Sequence, residues 1–88
     1  MSWTCRLSNQ AAKQFRFLPR DRRNQISGAI DEMGMNPTSG DVQPIKSGKF
    51  RGALRRRVGR YRIVFSLDWA AQIVDIAAII VRTGKTYR

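Results

Sequence analysis

Histidine is absent from this 88-residue chain. No His-dependent triad, imidazole metal site or two-histidine ribonuclease mechanism can therefore operate. Cysteine occurs once, at Cys5, so no internal disulfide can form and a thiolate zinc site lacks ligands. That cysteine usage fits a reducing, cytoplasmic setting. Cys5 lies in a short run of alternating apolar residues and reads as a small core side chain. Acidic residues number only six and do not cluster, which argues against a two-metal nuclease centre. No glycine-rich loop of the P-loop or dinucleotide type is present, and no cofactor is expected. No apolar run reaches the roughly 18 residues a membrane helix needs. The opening Met1-Ser2-Trp3-Thr4-Cys5-Arg6 has no apolar signal region. Repeats and low-complexity segments are also missing.

What the chain has is positive charge. Lys and Arg number seventeen, giving a net charge of +11. Eight of those cations fall between Lys46 and Arg62, in KSGKFRGALRRRVGRYR, with no acid among them. A field of this strength attracts nucleic acid, an anionic membrane or an acidic protein. A membrane-surface helix would carry its cations on a helix. Here they lie on strand-like sequence, which leaves nucleic acid, RNA foremost, and an acidic protein as the partner classes, and no membrane. The length and the apolar fraction of 42% support one core, so residues 1–88 are read as a single domain.

Local patterns place the elements. Trp3 to Leu7 reads as a first strand. Ser8 is a helix N-cap before Asn9 to Arg16, with Ala11, Ala12 and Phe15 on one face. Phe17-Leu18-Pro19 ends that helix. Asp21 is read as the cap of a second helix to about Met33, with Ile26, Ala29, Ile30 and Met33 on its buried face. Gly34 marks its stop and Pro37 follows. Asn36 to Asp41 reads as a polar loop, and Ile45 to Arg51 as loop or a short edge strand. Leu54 to Val58 reads as a strand, Gly59-Arg60 as a tight turn and Tyr61 to Leu67 as the partner strand. Asp68 to Ala71 makes the next turn. Gln72 to Arg82 is the last strand and is apolar on both sides. Strict alternation puts Ile73, Ala77, Ile79 and Val81 on one side, and Val74, Ile76, Ala78 and Ile80 on the other. Such a strand is central or has its second face covered by a partner. The fold class is α+β: a small, mainly antiparallel sheet of about four strands, backed by an N-terminal helical hairpin.

The residue types available still permit RNA cleavage. RNA carries its own nucleophile, the 2′-hydroxyl, beside the phosphorus. A protein need supply only in-line geometry and stabilisation of the five-coordinate phosphorane. Arginine suits that second task because its planar fork matches phosphate oxygens. Lys and Tyr are the available proton carriers, since neighbouring cations lower their proton affinity. Alternation places Arg55 and Arg57 on one face of their strand and Arg56 on the other, with Arg62 just across the turn. Arg82 ends the last strand, and Lys85 and Tyr87 follow in the tail. Lys46, Lys49, Arg51, Arg60 and Lys85 are the expected contacts to RNA or to the ribosome. Trp3 and Trp69 read as core or turn-packing residues.

The segment Arg55-Arg56-Arg57-Val58-Gly59-Arg60-Tyr61-Arg62-Ile63-Val64-Phe65 resembles the R-x-R-V-G-D-Y-R-V-x-Y pattern of the RelE/ParE toxin superfamily, most closely the RelE-type mRNA interferases of archaeal style. The likeness extends to the helical hairpin with Phe17-Leu18-Pro19 and to the terminal Arg82-Thr83-Gly84-Lys85-Thr86-Tyr87. It implies a toxin of a toxin–antitoxin pair that cleaves mRNA in the ribosomal A site, leaving a 2′,3′-cyclic phosphate. It also implies an acidic antitoxin as partner. Carried over by position, Arg57 and Arg62 match the family's arginines, and Arg55 a basic catalytic position that is Lys in some members. Arg82 and Tyr87 match the basic residue before the tail and the terminal Tyr. Arg60 departs from the pattern's Asp, and Arg56 from an apolar position. With Arg at position 55, the general base stays open among Tyr87, Lys49 and Lys85, with catalysis by positioning alone as the other alternative. Two alternatives are a ParE-type toxin acting on DNA gyrase and a non-catalytic basic RNA-binding module.

Overall fold

The computed structural model describes residues 2–81. Strand β1 (Thr4–Leu7) is followed by helices α1 (Asn9–Arg16) and α2 (Arg20–Met35), then by strands β2 (Asp41–Pro44), β3 (Leu54–Val58), β4 (Tyr61–Asp68) and β5 (Ile73–Val81). The strands form one five-stranded sheet in the order β1-β5-β4-β3-β2. Only β1 and β5 pair in parallel; the other neighbours are antiparallel. The α+β architecture, the helical pair and the central place of β5 match the sequence reading. The fifth strand is β2, which begins at the last residue of the expected polar loop, Asp41. Residues Ile45–Arg51 are loop throughout. Pro44 lacks a backbone donor, and a strand at the sheet edge tolerates that.

Both helices lie on one face of the sheet. Ala11, Ile26, Ala29 and Met33 pack with Ile63, Phe65, Val74, Ile76 and Ile79 in the core. Ser8 caps α1 as its sequence demands: its Oγ accepts from Ala11 N–H at 3.0 Å. Helix α2 starts one residue ahead of the expected cap. Pro19 precedes it without a side-chain cap bond, and Asp21 lies in its first turn. There the carboxylate still faces the positive end of the helix dipole. Gly34 is inside α2 rather than its stop, and Asn36 is the C-cap. The Gly34 carbonyl accepts from Trp3 N–H at 2.7 Å, which ties the end of α2 to the start of β1. Cys5 packs at the edge of the core. Burial, and less strongly the Asp31 carboxylate, push its thiol above the ordinary value, so it stays protonated and inert.

One irregularity corrects the expected facing of β5. Val64 pairs with Ala78, but Phe65 pairs with Ile76. Ala77 is therefore an extra residue, a bulge that breaks the alternation. Val74, Ile76, Ile79 and Val81 share the register of the helix-side residues, whereas Ile73, Asp75, Ala78 and Ile80 share that of the helix-free face. The backbone around the bulge finds partners beyond the end of β1. Ala77 O accepts from Ser8 Oγ at 2.8 Å, and Ile79 N–H donates to Gln14 Oε1 at 2.7 Å. These bonds satisfy groups that no neighbouring strand reaches.

Candidate nucleic-acid interface

Strand period and pairing register set the site. β3 and β4 join through Gly59-Arg60, where Gly59 takes a φ of 59°. A positive φ at the first turn position suits a two-residue hairpin and favours glycine. This turn puts Arg57 directly opposite Arg62, and Arg55 opposite Val64. All three arginines project from the face away from the helices. Asp41, Arg57, Arg62 and Ile80 make one row across four strands; Gln43, Arg55, Val64 and Ala78 make the next. Adjacent strands lie about 4.8 Å apart, so Arg57 and Arg62 can grip one phosphate group together.

Like charges directly opposed across strands destabilise a sheet by roughly 0.2–1 kcal/mol. No acid lies between Arg57 and Arg62 to offset that cost. Arg62 Nε is buried and has no acceptor among the described residues. A phosphate between the two guanidinium groups would offset the repulsion. The β1 side of the same face differs. There Arg6 is neutralised by Asp75 at 2.9 Å. Positive charge is thus concentrated on β3 and β4. Among the described residues no cluster of three potential metal ligands exists.

Arg56 faces the other way, as alternation requires. It is 8% exposed. Its Nη1 donates to Ala29 O at 3.3 Å, and its Nη2 pairs with Glu32 on α2. Its role is therefore to tie the middle of β3 to α2. The remaining expected contacts spread along the hairpin. Lys46, Lys49 and Arg51 are exposed on the β2–β3 loop, whose neck is closed by Ile45 N–H to Ala53 O at 2.9 Å and Gly52 N–H to Ile45 O at 3.0 Å. Arg60 is exposed in the turn at the opposite end of β3. The structure thus joins Arg55, Arg57 and Arg62, flanked by loop cations at one end and Arg60 at the other. Arg82, Lys85 and Tyr87 lie outside the described residues. Trp3 and Trp69 meet edge to face, with centroids 5.1 Å apart, in keeping with turn packing.

Asp41 was not among the expected site residues. The sequence pattern places it at the end of a polar loop. As the first residue of β2 it faces Arg57 in register. Its Oδ1 lies 3.3 Å from Arg55 Nη1 and its Oδ2 lies 3.9 Å from Arg57 Nε.

The fold has counterparts among solved structures. No family model matches the sequence, and no curated protein matches it. A chain of the archaeal RelE–RelB complex from Pyrococcus horikoshii OT3 superposes with a TM-score of 0.78 at 21% identity, over 93% of this chain and 97% of that one. A chain of the toxin–antitoxin complex RelBE2 from Mycobacterium tuberculosis gives 0.79 at 20% identity, over 93% and 100%. A YoeB/ParE toxin from Agrobacterium tumefaciens gives 0.75 at 15% identity, over 91% and 99%. The chain shares the fold of these solved toxins. Identities this low establish the fold and leave the activity to the site.

Proposed function

We propose that this chain is the toxin of a toxin–antitoxin pair and a ribosome-dependent, metal-independent mRNA endoribonuclease. The observation that carries this reading is the placement of Arg55, Arg57 and Arg62 together on the helix-free sheet face, with Arg57 opposite Arg62. In the reaction the 2′-oxygen attacks phosphorus, the bond to the 5′-oxygen breaks, and a 2′,3′-cyclic phosphate remains. Arg57 and Arg62 hold the non-bridging oxygens as negative charge builds there. Arg55 orients the backbone beside them. Lys46, Lys49, Arg51 and Arg60 extend the grip along RNA. Arg82, Lys85 and Tyr87 complete the proposed set through their place in the motif. So few catalytic groups favour a substrate already oriented by the ribosome. The partner in the resting state is an acidic antitoxin covering the cationic face. Toward the helix side, a groove of about 370 Å³ lined by Phe17, Leu18, Tyr61 and Val81, among others, offers apolar contact to a partner that wraps beyond the cationic face. Phe17 there is 79% exposed.

Two measurements test the reading. Induced expression will stop protein synthesis before DNA synthesis in pulse labelling. The purified chain will cut mRNA on programmed ribosomes far faster than naked RNA. Early DNA arrest with intact translation would instead assign the chain to gyrase inhibition, as in ParE-type toxins. Binding without any cleavage would leave a basic RNA-binding module.

A further inference from the structure

We infer that Asp41 is the positioning residue of this site: its carboxylate holds Arg55 and Arg57 in their phosphate-gripping arrangement. The inference rests on the proposed RNA-cleaving role for its catalytic consequence, and on geometry alone for the hold itself. Asp41 meets both arginines with its two carboxylate oxygens, at 3.3 Å from Arg55 Nη1 and 3.9 Å from Arg57 Nε. Arg55 Nη1 also lies 3.4 Å from the Asp41 carbonyl. Residue 41 therefore engages Arg55 through both its backbone and its side chain.

Position and exposure make the contact more than an incidental surface pair. Asp41 opens the edge strand in register with Arg57, and Arg55 lies diagonally across from it. The Arg55 side chain is only 14% exposed, against 40% for Arg57 and 49% for Asp41. Such enclosure narrows the directions in which a long side chain can place its fork. The third arginine, Arg62, lies two strands away from Asp41 in the same row, roughly 10 Å at ordinary strand spacing. Asp41 thus holds one side of the cationic patch and leaves the Arg57–Arg62 gap to the phosphate. A carboxylate in that gap itself would compete with substrate. One at its outer rim pre-orients the donors, which lowers the reorganisation the reaction otherwise demands.

This role predicts opposite movements of binding and turnover. Removing a negative charge from a cationic face strengthens RNA binding. Releasing the two guanidinium groups slows the reaction of bound RNA. A merely structural residue would weaken both together. The test compares the wild-type chain with Asp41→Asn and Asp41→Glu. Affinity is read with a non-cleavable 2′-deoxy oligonucleotide, and turnover as single-turnover cleavage of mRNA on saturating ribosomes. For Asp41→Asn the expected result is binding tighter by about threefold and cleavage slower by tenfold or more, at unchanged thermal midpoint. Asp41→Glu restores cleavage to within a few fold of wild type. Side-chain Nε–H resonances of Arg55 and Arg57 will lose order in Asp41→Asn, while that of Arg62 keeps it. Wild-type cleavage by Asp41→Asn, or loss of affinity alongside turnover, would overturn the inference. If the wild-type chain itself cuts no RNA, the proposed activity fails, and the arginine resonances still decide whether Asp41 holds its neighbours. Unchanged order in Asp41→Asn would then overturn the hold.

Discussion

Arg57→Ala and Arg62→Ala will each lower single-turnover cleavage on saturating ribosomes by about 100- to 1,000-fold, the range seen when one donor to a developing oxyanion is lost. Saturation removes differences in ribosome binding, so the loss reports the chemical step. The side chains project from the helix-free face and none belongs to the core, so the fold will persist in both variants. Charge alone predicts a different pattern. Arg20→Ala and Arg22→Ala, which remove exposed cations from α2, will leave the cleavage step within a few fold of wild type. Arg23 is unsuitable as a control, because its Nη1 donates to Leu18 O at 3.1 Å across the turn between the helices. Equal losses in the helix and strand variants would reject the sheet-face site. The double variant, Arg57→Ala with Arg62→Ala, will fall short of the product of the single effects, because both groups grip the same phosphate.

Arg56→Ala will show the reverse profile: lost stability with the chemistry nearly intact in the folded fraction. The change removes a buried stem, the bond to Ala29 O and the pair with Glu32. The Glu32 side chain is 65% exposed, so water can solvate it once the partner is gone. The cost is therefore below the 3–5 kcal/mol of a fully buried broken pair and nearer 2 kcal/mol. In a domain this small that lowers the thermal midpoint by about 8–16 °C. Arg56→Met keeps the apolar stem and buries no charge, and will recover most of the loss. Thermal unfolding of both variants checks the prediction. A folded Arg56→Ala chain inactive at wild-type stability would place Arg56 in the chemistry instead.

Much of this arrangement was legible in the residues, for identifiable reasons. β3, its turn and β4 were legible because Gly59 marks the reversal and alternation assigns Arg55, Arg56 and Arg57 to faces. The core side of α2 was legible because Ile26, Ala29 and Met33 repeat at helical spacing. β2 was harder: four residues with a single aliphatic side chain, Val42, and a terminal Pro44 carry little periodic signal. Its pairing with β3 gives it strand form, and the site role of Asp41 depends on that pairing. The start of α2 shifted because Pro19 can precede a helix without donating a side-chain cap. The partners of Arg56 join residues 24 and 27 positions apart in sequence, beyond any local pattern. The bulge at Ala77 arises from pairing with β4, so alternation along β5 alone could not reveal it.

That bulge imposes a constraint of length rather than of chemistry. Before Ala77 the helix-facing positions of β5 are even-numbered, Val74 and Ile76; after it they are odd-numbered, Ile79 and Val81. Replacing Ala77 with another small residue keeps this parity. Deleting it would restore strict alternation, with Ile76, Ile79 and Val81 still on the helix side and only the bond from Ser8 Oγ to Ala77 O lost. Inserting a residue beside it leaves a surplus that the strand must either absorb in a wider bulge or release by turning Ile79 and Val81 onto the face that carries the arginines. In descendants of this sequence, the stretch between Ile76 and Ile79 should therefore lose a residue more readily than it gains one.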